Sequence, residues 1–64
     1  MNPTHTEICE RLIQIYGELR VLVDVLANDG KPYAAGLLAA AKDSIHMAAA
    51  HTDIDTFERT RGTK

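Results

Sequence analysis

Six aliphatic residues, Ile8, Leu12, Ile15, Leu19, Leu22 and Leu26, recur at spacings of 4, 3, 4, 3 and 4. A strand repeats every two residues, so this run describes one stripe of an α-helix sustained through about five turns. Its limits are written on either side. Thr4-His5-Thr6-Glu7 is a capping box, with Pro3 and Ile8 placed as a hydrophobic staple around it. Asn28-Asp29-Gly30 stops the helix, Gly30 supplying the left-handed residue that such a stop requires. Lys31 is pushed toward extended geometry by the proline after it, and Pro32 is preset for the first position of a second helix. A link this short makes the two helices antiparallel. The chain therefore reads as an all-α antiparallel αα-hairpin. Its first helix covers about residues 4–28, the turn 28–31, the second helix about 32–51 and the tail 52–64.

The second helix carries two stripes. Ala34, Leu38, Ala41, Ile45 and Ala48 alternate small and large residues. Small side chains let backbones approach closely, so this stripe is expected against the first helix. Tyr33, Leu37, Ala40, Ser44, Met47 and His51 repeat at the same spacing farther round, and face something else. In the tail, Thr52 or Asp53 is suited to cap a short third helix bearing Ile54 and Phe57 on one side, and residues 59–64 read as a frayed, solvated end.

With 64 residues, 45% of them apolar, the chain is one small domain, too apolar for disorder. Cores below roughly 70–80 residues need disulfides, metal or oligomerisation to hold them. A single cysteine excludes an internal disulfide and suits a reducing compartment. Cys9, Tyr16 and Val23 lie beside the first stripe, Ile13 farther round, and Val21 and Val25 on the other flank. One partner helix does not cover so wide an arc. The expectation is a homodimer of hairpins forming a four-helix bundle, with Ile13, Tyr16, Tyr33, Leu37, Ala40 and Met47 at the dimer interface.

Little in the chain suggests chemistry. His46 and His51 are five apart and so on different helix faces, not at the four-residue spacing of a zinc pair. Cys9 reads as a small core residue, and Arg11, two positions away, points elsewhere. Gly30-Lys31-Pro32 lacks the backbone donor that a phosphate loop needs at its proline. No enzyme, cofactor or metal is expected. The net charge of −2 argues against nucleic acid, the one basic cluster, Arg59, Arg61 and Lys64, lying in the tail. Neither a signal peptide nor a membrane span is apparent, and a cytoplasmic location is expected.

An interaction protein remains. Val21 and Val25 stand on an otherwise polar arc with Gln14 and Glu18, and are the candidate partner-binding residues. In length, in its single hairpin from Thr4 to His51, in the Asn28–Pro32 turn and in its paired apolar stripes, the chain resembles small phage-encoded proteins that dimerise as helical hairpins. That resemblance implies binding and inhibition of a host protein, such as a quorum-sensing transcription regulator or a pilus-assembly component. The alternative is a small regulator of antitoxin or DNA-associated type, using its basic tail on nucleic acid.

Overall fold

The computed structural model describes residues 2–60. Three helices follow in order: α1, His5–Asn28; α2, Pro32–Thr52; and α3, Ile54–Thr60. Among the described residues the chain is all-helical, without strands.

The expected signals start and stop α1. The Glu7 amide donates to the Thr4 hydroxyl at 3.1 Å, and the Thr4 amide donates to Glu7 Oε1 at 2.8 Å, completing the capping box. At the other end Gly30 has φ 77°. The Lys31 amide reaches back to the Leu26 carbonyl at 2.9 Å and that of Gly30 to Ala27 at 3.4 Å, the two bonds of a Schellman stop. Pro32 then opens α2.

The helices run antiparallel, as three cross-contacts establish. The Thr6 hydroxyl donates to Asp53 Oδ2 at 3.0 Å, the Cys9 thiol donates to the Ala49 carbonyl at 3.4 Å, and Tyr16 stacks on His46 with ring centroids 4.2 Å apart. The core sits at the open end of the hairpin, away from the turn. Cys9, Ala49 and Phe57 form its buried centre, with Leu12, Ile13 and Ala50 packed around it. Phe57 comes from α3 and also meets the His46 ring at 4.9 Å, so α3 covers one face of the hairpin at this end.

Helix rotation differs from expectation. Ala34, Ala41 and Ala48 are exposed. The side of α2 turned toward α1 instead holds Ala35, Leu38, Lys42, Ile45, His46 and Ala49. On α1 the inward direction runs through Cys9, Tyr16 and Val23, so the heptad stripe lies to one side of the contact and Leu22 is exposed. The reason is physical: Lys42 and His46 are polar in name but bury apolar bodies. The Lys42 ammonium lies 5.2 Å from the centre of the Tyr16 ring and 3.2 Å from Asp43, while its stem lies in the contact. A stripe counted in aliphatic residues alone omits them.

The third helix forms as expected, with Asp53 rather than Thr52 as its cap. The Thr56 amide donates to Asp53 Oδ1 at 3.3 Å, whereas the Thr52 hydroxyl donates back to the Ala48 carbonyl at 2.7 Å. Phe57 is buried and Ile54 exposed, so the two do not share a covered side. Of the end expected to fray, Arg59 and Thr60 belong to α3, and residues 61–64 lie outside the described residues.

Candidate protein interface

The chemically suggestive side chains are engaged in holding the fold. Cys9 is fully buried, and burial first, then the negative charges of Asp53 and Glu10, push its thiol above the usual range. A protonated thiol already donating to the Ala49 carbonyl is a poor nucleophile. Asp53 is held below the ordinary carboxylate range, chiefly by the Thr56 amide and then by the Thr6 hydroxyl. Among the described residues no group of three or more His, Cys, Asp or Glu is gathered closely enough to hold a metal ion. A depression of about 790 Å³ beside the first turns of α1 takes in Pro3, Glu7, Arg11, Gln14 and Thr60, but no histidine or cysteine lines it. No helix among the described residues is long and apolar enough to cross a membrane.

What the surface does offer is apolar area. Val21 and Val25 are 61% and 51% exposed, with Gln14 and Glu18 exposed beside them. At about 100° per residue these four fall within about 60° of one another, on the side of α1 facing directly away from α2. On α2, Tyr33 is 80% exposed, and Leu37, Ala40 and Met47 are exposed along the outward side. Ile13 and Tyr16, expected at the dimer interface with them, are engaged within the subunit: Ile13 against the Cys9–Ala49–Phe57 cluster, Tyr16 against His46.

A further surface was not singled out from the sequence. Ile8, Ile15 and Leu22 lie about 80–120° from the inward direction of α1, and Ala34, Ala41 and Ala48 about 70–110° from that of α2, both toward lower angles. In an antiparallel pair those two displacements point to the same side. The two stripes expected to pack on each other therefore lie next to each other, on the hairpin face opposite α3. The sector running from Leu22 to Leu12 on α1, and from Leu37 to Leu38 on α2, contains no charged residue. Arg11 and Glu18 border it. The helical wheel of each stripe, read together with the antiparallel link, holds this information once the inward direction is known. Comparison with protein-family models, with curated proteins and with solved structures finds no match to this chain.

Proposed function

We propose that this protein is a non-enzymatic, homodimeric helical adaptor that binds another protein and inhibits or redirects it. The observation carrying this reading is the exposure of Val21 and Val25 on a rim of polar residues, where neither valine contributes to the core. Two desolvated valines supply about 2–4 kcal/mol to a complex. Gln14 and Glu18 flank them and give the contact its polar edge. The buried, protonated thiol and the structural use of His46 and Asp53 favour a binding role over a catalytic one. The resemblance to phage-encoded hairpin inhibitors makes a host transcription regulator the first class of target to test.

Replacing both Val21 and Val25 with Asp removes this patch without touching buried residues. Pull-down from a host lysate with the double variant is expected to lose the partner captured by the unaltered protein, with helicity by circular dichroism unchanged. Retained capture moves the functional surface elsewhere. Deleting residues 59–64 is expected to leave capture intact, whereas a DNA-associated regulator would lose nucleic-acid binding with that tail.

A further inference from the structure

We infer that the uncharged face opposite α3 seats a second copy of this chain, the α1 ridge of each subunit entering the alanine channel on α2 of the other. The inference rests on the homodimeric reading above and locates its interface.

Shape is the first argument. The chain is a plate of 40 × 32 × 14 Å with a radius of gyration of 13.3 Å, against about 10.7 Å for a compact domain of this length. Its accessible surface is 4848 Å², where a compact monomer of this mass exposes about 4,000 Å². Stable domains pack two layers of secondary structure around a core. Outside the small region beneath α3, this one has a single layer.

The face is also the right size and chemistry for a copy of itself. Two helices of 24 and 21 residues span about 32–36 Å at 1.5 Å per residue. With two helix widths that is about 600–700 Å² per subunit, close to the 800 Å² per partner of a standard specific interface. A surface without charge offers nothing to steer or orient a differently charged partner. A twofold contact requires only that the surface match itself.

It does match itself. The pairs Thr6–Asp53, Cys9–Ala49 and Tyr16–His46 set the level of the two helices, placing Leu22 beside Leu38 and Ile15 beside Ile45. A twofold axis parallel to the helices lays α1 of one subunit over α2 of the other at the same level, antiparallel. Leu22 then falls between Ala34 and Ala41 of the facing chain, and Ile15 between Ala41 and Ala48. Large residues enter gaps between small ones along both helices. Val21 and Val25 stay on the outer edge of the assembly, free for a different protein.

Sedimentation of the unaltered chain is expected to give about 14 kDa, twice its 7.0 kDa, at micromolar concentration. Ala41→Glu puts an unpaired carboxylate into the contact and is expected to weaken the dimer about 100-fold or more. Met47→Asp, on the outward side of α2, is expected to leave the dimer intact. Because Ala41→Glu can lower helicity as the dimer dissociates, a second measurement stands apart from it. Leu22→Cys and Ala41→Cys chains are mixed and treated with a short bis-maleimide. They are expected to join to each other in preference to like chains, while buried Cys9 does not react. A folded monomer at all concentrations overturns both the homodimer and this assignment. A dimer that survives Ala41→Glu, or that fails to join the Leu22→Cys and Ala41→Cys chains, overturns the assignment alone.

Discussion

The two ends of the hairpin are built on opposite principles. At the open end three helices meet: Cys9, Ala49, Thr56 and Phe57 are buried, His46 is held between Tyr16 and Phe57, and Asp53 bonds both to α1 and to the start of α3. At the turn end two helices meet without a third. The Schellman stop and Pro32 set the reversal, Ala35 is the buried residue, and Val21, Leu22, Val25, Tyr33 and Leu37 stand exposed. Apolar content alone does not make a core. The turn end is richer in large aliphatic residues, yet the open end is the better packed because α3 supplies a second layer there. An end that closes on itself serves stability, and an end that leaves its apolar side chains outward is available for association.

The sharpest way to break this contrast is Phe57→Ala. Removing the only large side chain that α3 buries is expected to cost about 3–5 kcal/mol and to release α3. Denaturant melts measure the loss, and labelling of Cys9 by a thiol reagent reports the opening. Val25→Thr at the turn end is expected to stay within about 0.5 kcal/mol of the unaltered chain. Equal costs would erase the distinction between the ends. A smaller effect comes from Ala49→Leu, which overfills the contact beside Cys9 and is expected to cost about 1–3 kcal/mol, read from the same melts.

The smallest effect depends on pH and concerns Asp53. Its folded-state pKa is lowered by the Thr56 amide first and the Thr6 hydroxyl second. The stabilisation from its charge is therefore fully present above its unfolded pKa, about 3.9, and is lost as pH falls through the lower folded value. Asp53→Asn is expected to flatten that acid-side loss, seen as a smaller difference between melts at about pH 7 and about pH 3. If the variant and the unaltered chain lose the same stability in acid, Asp53 does not clasp the open end electrostatically.

How far the sequence can be read follows from the same contrast. The capping box of Thr4 and Glu7, the stop at Gly30 and the start at Pro32 are local chemistry, and each forms as its residues dictate. Helix rotation is not local. Both helices carry apolar arcs wider than one neighbour covers, so periodicity leaves open which sector turns inward. Phe57 adds to the inward pull of Lys42 and His46 by drawing Cys9, Ile13 and His46 beneath α3, and no pattern within α1 or α2 announces a residue that lies outside both helices. The choice between Thr52 and Asp53 as the α3 cap was likewise open, since both are good caps. The Thr6 hydroxyl breaks the tie across the hairpin. Val21 and Val25 were legible as isolated apolar residues on a polar arc, and they are exposed there. The uncharged face was hidden because its two halves were expected to cover each other.

The bond between Thr6 and Asp53 spans 47 positions in a chain of 64, and it has a consequence for how the molecule assembles. Closing the turn at Gly30 costs little entropy but joins two helices that hold few good contacts nearby. The rewarding contacts lie at the far end, after every intervening residue has been aligned. Such a hairpin behaves as a zipper whose strongest teeth close last. Partly zipped chains gain little, so they are sparsely populated. Folding and unfolding are accordingly expected to be closer to all-or-none than in a simple two-helix hairpin, with the Thr6–Asp53 clasp tying the first turn of α1 to the start of α3.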